Sequence, residues 1–144
     1  MRYRVPVLTL GLAALAAVAA VAQSRLTARD LIGKSAASLD SRLGKPRSVG
    51  KQARFREYEL STGGVFVGFR NGTSRSLVMT FKIPFSKPED ALAAVDVKVR
   101  GKKTVRSLVG ERLWRDVGGY KYVAARSSDG RLWDSIEVSN EPRN

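Results

Sequence analysis

The sequence predicts an α+β domain: a short N-terminal helix pair packed on an antiparallel β-meander, followed by one further helix and C-terminal hairpins. Three observations carry this prediction. Apolar residues recur at helical spacing between Leu26 and Pro46, then switch to alternation in the segment that follows. The turn signals Asn71-Gly72 and Ser127-Ser128-Asp129-Gly130 each stand between two alternating runs. The 122 residues from Gln23 to Asn144 are the size of one domain with one modest core.

Residues 1–22 read as a secretory signal peptide. Met1 to Arg4 is a short basic head, Val5 to Val21 is an almost unbroken apolar run, and Ala20-Val21-Ala22 fits a small-x-small cleavage site. The alternative is an uncleaved anchor, since Val5 to Ala22 is 18 residues, the lower edge of a span. Alanine dominates the run and is only mildly apolar, which favours cleavage. Lipid attachment at the cleavage site would need a cysteine, and the chain has none.

In the mature chain, Thr27 caps a helix over Ala28 to Ile32, with Asp30 three residues on and Gly33 as the break. Ser35 caps a second helix, in which Ala36, Leu39 and Leu43 share a face and Gly44 and Pro46 mark the stop. After a basic link at Arg47 to Gln52, period-two alternation predicts three antiparallel strands over Arg54 to Ile83, with turns at Gly63-Gly64 and Asn71-Gly72. Ser86-Lys87-Pro88-Glu89 has capping-box spacing and opens a helix to about Val95. Val95, Val97 and Val99 then alternate with charged residues and predict a strand. Lys102 to Val117 follows neither period. Tyr120 to Ala124 and Leu132 to Val138 form the last hairpin. Gly63-Gly64, six residues and Asn71-Gly72 are echoed by Gly118-Gly119, seven residues and a turn containing Asp129-Gly130.

Composition removes several classes of chemistry. With no cysteine, neither disulfides nor thiolate zinc sites can form; with no histidine, the commonest general base and transition-metal ligand is missing. Without the leader, 24 basic residues face 13 acidic ones, concentrated in Arg25 to Arg56 and Lys98 to Arg115. Such zones attract anionic surfaces, although high charge also serves solubility alone. Among the carboxylates, Glu57 and Glu59 share a strand face as a catalytic pair would, but the neighbouring Arg54, Arg56 and Arg70 suit a charge-laced solvent edge better. The glycine pairs lack phosphate-loop spacing. The basic ribbon of Val97 to Arg106 has no adjacent exposed aromatics of the kind base recognition adds, so nucleic acid is disfavoured as a partner.

Leu31-Ile32-Gly33-Lys34-Ser35, Leu39, Leu43-Gly44-Lys45-Pro46, Tyr58 and the Gly64 to Gly72 hairpin resemble the helix-helix-sheet domain of the SmpA/OmlA family. The β-lactamase inhibitory proteins look similar in arrangement. The resemblance covers Leu26 to Ile83 and implies an exported domain that works by binding other proteins, with no catalytic residues to carry over. The lipid-anchored assembly branch carries a cysteine that this chain lacks.

The expectation is therefore a secreted or periplasmic, non-enzymatic binding module without a cofactor. Its partner is a protein or an anionic component of the cell envelope, and a membrane only if the leader is uncleaved. The candidate surface joins Arg42, Lys45 and Arg47 at the helical end to Lys98, Arg100, Lys102, Lys103 and Arg106 in the ribbon. A secreted hydrolase using Glu57 or Asp134, and a structural domain with no specific ligand, are the alternatives.

Overall fold

The computed structural model of the protein describes residues 25–143; the predicted leader at 1–22 lies outside the described residues. Eight strands form one sheet: β1 (Ser48–Val49), β2 (Phe55–Leu60), β3 (Gly63–Arg70), β4 (Thr73–Phe85), β5 (Arg106–Leu108), β6 (Glu111–Val117), β7 (Tyr120–Arg126) and β8 (Trp133–Ser139). Their order is β1-β2-β3-β4-β8-β7-β6-β5, and every neighbouring pair is antiparallel. Two meanders, β1 to β4 and β5 to β8, thus meet along their last strands. The glycine echo has a topological counterpart: each Gly-Gly stands at the entry to the third strand of its meander, and each Xaa-Gly turn leads to the fourth.

Helices α1 (Ala28–Leu31), α2 (Ala36–Leu43) and α3 (Pro88–Ala93) cover one face, with α1 over β4, α2 over β2, and α3 over β4, β7 and β8. The predicted caps of the first two are present. Thr27 and Asp30 form a reciprocal capping box, and the Ser35 hydroxyl accepts from the Ser38 amide at 3.2 Å. Neither helix is long enough to hold itself together in water, and the sheet supplies the rest. The buried Ser74 hydroxyl donates to the Leu31 carbonyl at 2.6 Å and accepts from the Lys34 amide at 2.8 Å. Beside it, the Ser74 carbonyl accepts from Gly33 N–H, and Ser74 N–H donates to the Lys34 carbonyl, both at 2.9 Å. The helix pair is therefore hydrogen-bonded to β4 as well as packed on it.

Under the helices lie Leu31, Leu39, Tyr58, Val65, Val67, Leu77, Leu92, Trp114, Val123, Ile136 and Val138, all buried. The other face is read off the register as cross-strand rows. One row runs Ser48, Glu57, Phe66, Val78, Glu137, Ala124, Leu113, Arg106 across all eight strands. In the second meander this outer face has a small core of its own, Leu113, Tyr122 and Ala124. Glu137 accepts hydrogen bonds from Tyr122 and Arg126, and Glu111 accepts from Arg126 and Arg143, each at 3.2 Å.

Four local expectations are corrected. The β2–β3 turn is Ser61-Thr62, and Gly63 is already in β3, because a Cβ at Gly63 would fall 1.8 Å from the Thr80 carbonyl oxygen. Residues 95–99 are not a strand. Val95, Val97 and Val99 are buried and Asp96, Lys98 and Arg100 exposed, yet the segment pairs with no strand: β4 already has β3 on one side and β8 on the other. Lys87, not Ser86, caps α3, and it makes no side-chain cap bond; the helix ends at Ala93. Lys102 to Val117 contains β5, a turn at Val109-Gly110 and β6. Leu113 and Trp114 obscured the period there because both faces of β6 are covered, Leu113 by the outer cluster and Trp114 by the main core.

Candidate functional site: an arginine-lined basin

At the end of the sheet where β3 turns into β4 lies an open basin of about 720 Å³, with Arg54, Arg70, Arg75, Gly68, Ser76 and Glu141 in its wall. Each arginine arrives by a distinct local device. Arg70 ends β3 just before the turn, where Asn71 (φ 52) and Gly72 (φ 74) both adopt the left-handed conformation of a tight hairpin. Arg75 is the extra residue of a β-bulge: Gly68 pairs with Ser76 and Phe69 with Ser74, so Arg75 has no register partner on β3. Bulges re-aim side chains in this way. Arg54 follows a short 3₁₀ turn in which Gln52 (φ 55) and Ala53 (φ 52) are consecutive non-glycine residues in left-handed conformation. Such conformations cost of order 1 kcal/mol each and persist where the surroundings hold them. Here the Arg54 carbonyl accepts from the Phe69 amide at 2.7 Å, tying the turn to β3.

Gly68 lets the Ser76 hydroxyl close on the β3 backbone in the basin wall, since a Cβ there would lie 2.5 Å from Ser76 Oγ. The basin is electrostatically one-sided. Glu141 pairs with Arg70 at 2.8 Å, while Arg54 and Arg75 form no ion pair with any described residue. Planar guanidiniums lining one open hollow suit carboxylate or phosphate groups, which they bind through paired N–H donors.

The eight residues singled out from the sequence fall in two groups, Arg42, Lys45 and Arg47 from the end of α2 towards β1 at one edge of the sheet, and Lys98 to Arg106 leading into β5 at the other. Arg42 pairs with Asp30 at 2.9 Å, Arg47 bridges Glu57 (4.0 Å) and Glu59 (3.5 Å), and Arg106 pairs with Glu111 at 3.7 Å. Lys45, Lys98, Arg100, Lys102 and Lys103 are exposed and form no ion pair among the described residues. Lys98 to Val105 is a loop, so the basic segment is not the hairpin ribbon the alternation suggested; only Arg106 belongs to a strand.

The carboxylates take structural positions. Glu57 and Glu59 do share the outer face, but Arg47 and Lys82 (3.8 Å to Glu59) lace them, not Arg54, Arg56 and Arg70. Arg56 turns to the helix side and pairs with Asp40, which also accepts from Tyr58 at 2.8 Å. Burial, then the Asp40 hydrogen bond, pushes the Tyr58 hydroxyl up to about 12. Strand order puts β3 and β4 between Glu57 on β2 and Asp134 on β8, so these two are about 14 Å or more apart at the usual strand spacing. Acid pairs for glycoside cleavage stand about 5–9.5 Å apart. Among the described residues no group of three or more acidic side chains could hold a metal ion, and no helix is long and apolar enough to cross a membrane.

Sequence reasoning missed the basin because Arg54, Arg70 and Arg75 are spread over three segments, and Arg54 and Arg70 read as partners of Glu57 and Glu59. The signal that was present is Asn71-Gly72 flanked by Arg70 and Arg75, which brings two arginines to one hairpin tip.

No family model matches the sequence, and no curated protein does. Among solved structures, the chain is similar to an extracellular protein containing a SCP domain from Bacillus anthracis strain Ames, with a TM-score of 0.54 and 10% identity. The match covers 82% of this chain and 47% of that one, so the chain spans about half the length of the solved protein. At this identity the likeness is one of fold: an α+β architecture on a mostly antiparallel sheet.

Proposed function

We propose that the protein is an exported binding module that performs no covalent chemistry and holds a carboxylate- or phosphate-bearing component of the cell envelope, or an acidic protein, in the arginine basin. The observation that carries this reading is that Arg54, Arg70 and Arg75 line one 720 Å³ hollow in which only Arg70 is ion-paired among the described residues, to Glu141. Strained backbone at Gln52 and Ala53 and a bulge at Arg75 support it, since both devices are common where a side chain is aimed at a ligand. The apolar leader read in the sequence supports export, and the SmpA/OmlA resemblance supports binding rather than catalysis.

The test is binding of polyglutamate and of a polyphosphate by calorimetry at low and high salt. Arg54→Ala and Arg75→Ala should each weaken binding about tenfold, the scale of one charge-assisted contact, whereas Glu141→Gln, which releases Arg70, should strengthen it. Binding that ignores all three substitutions, or no binding of either polyanion at low salt, would remove the basin as the site.

A further inference from the structure

At the opposite end of the second meander the surface has a different character. The free edge of the sheet, from Lys102 through β5 to the turn at Val109-Gly110, is exposed at nearly every position. Val109 is 95% exposed, Val105 56% and Leu108 55%; Leu132, on the facing β7–β8 turn, is 42% exposed. The two turns touch, since a Cβ on Gly130 would meet a Val109 methyl at 3.3 Å. Four aliphatic side chains in water along one rim call for a partner.

Cations stand among them: Lys102, Lys103, Arg106 and Arg131. Of the nearby carboxylates, Glu111 is matched by arginines, while Asp129 and Asp134 are tied into the β7–β8 turn by hydrogen bonds and keep their charge. Glu111 is held by Arg106, Arg126 and Arg143. Asp129, exposed, accepts from the Arg131 and Leu132 amides, both at 2.8 Å, and from Ser127. Those bonds hold its carboxyl below the ordinary range.

We infer that this rim docks on the surface of an anionic lipid bilayer, with Leu108, Val109 and Leu132 entering the headgroup layer and the four cations resting on it. A protein partner fits less well. Protein contacts draw their energy from aromatic and arginine anchors seated in pockets, whereas Trp133, the nearest aromatic, is buried beneath Arg112. A rim of two turns is also small against the roughly 800 Å² per partner of a stable interface, and the hollow of about 340 Å³ between them, lined by Leu108, Val109, Gly130 and Trp133, is shallow for a protein anchor. Exposed aliphatic residues beside lysines and arginines match a bilayer interface, where apolar insertion and attraction to anionic headgroups act together. Such docking is independent of what the leader does and of the arginine basin.

The experiment is co-sedimentation of residues 23–144 with vesicles of phosphatidylcholine alone and of phosphatidylcholine mixed with phosphatidylglycerol. Binding should be confined to the mixed vesicles and fall with salt. Leu108→Asp with Val109→Asp should weaken it at least about tenfold, the scale of losing one inserted aliphatic side chain. Lys102→Glu with Lys103→Glu should weaken it about fivefold or more per charge. Arg54→Ala should leave vesicle binding unchanged, which separates this surface from the basin. Equal binding to both vesicles, none to either, or indifference to Leu108→Asp with Val109→Asp would overturn the inference. A lipid-free dimer abolished by Val109→Asp would instead assign the rim to a second copy.

Discussion

At the residue scale, the titrating side chains bound a pH window. Tyr58 ionises in the unfolded chain near 10 but in the fold only near about 12, so the stability it confers is full below pH 10 and is lost as pH rises through 12. Tyr120 and Tyr122 are raised too, chiefly by burial, and steepen the same limb. On the acid side, burial alone would raise Glu111, but hydrogen bonds and charge from Arg143 and Arg126 outweigh it and hold the carboxyl below its ordinary 4.5. Its contribution is therefore present above pH 4.5 and lost as pH falls below it. No histidine or cysteine lies between these limits. Urea midpoints measured from about pH 5 to pH 10 should accordingly be flat, falling on either side. Tyr58→Phe should make the alkaline fall shallower, and an alkaline limb unchanged in that variant would contradict the assignment.

At the scale of elements, what could be read from sequence depended on whether one residue's chemistry was decisive. Thr27, Ser35 and Asn71-Gly72 act through their own backbone neighbourhood, and the two caps and the hairpin are where they were expected. Val95, Val97 and Val99 report one-sided burial of an extended chain, and alternation alone does not say whether a neighbouring strand edge is free. The bulge at Arg75 was illegible for another reason, since it is a relation between two strands and leaves no mark on one. Ser74 belongs with it. Its hydroxyl ties the end of α1 and the link to α2 onto β4, and no local pattern announces that. Ser74→Ala would leave the buried Leu31 carbonyl and the part-buried Lys34 amide short of a partner and should cost about 2 kcal/mol by chemical denaturation. A loss under about 0.5 kcal/mol, the scale of an ordinary surface change, would show that the clip is incidental.

At the scale of the whole molecule, the antiparallel seam between β4 and β8 puts the two proposed sites at opposite ends of the sheet. The basin lies where β4 begins and β8 ends, and the hydrophobic rim flanks the start of β8, about 20 Å away along a seven-residue strand. A copy resting on a bilayer by its rim would hold its arginines away from the lipid, free to take a ligand from the other side. The seam has a second consequence, in time. Every strand pairing within a meander joins neighbours in sequence, while β4 and β8 come together only after 47 intervening residues, Ser86 to Leu132, have been looped out. Loop closure of that length is a late event in chain ordering, so each meander should collapse first and the seam should zip last. In stopped-flow experiments Ile136→Val, on the seam, should chiefly accelerate unfolding, whereas Val67→Ala, inside the first meander, should chiefly slow folding. The reverse pattern would mean that the seam is the nucleus.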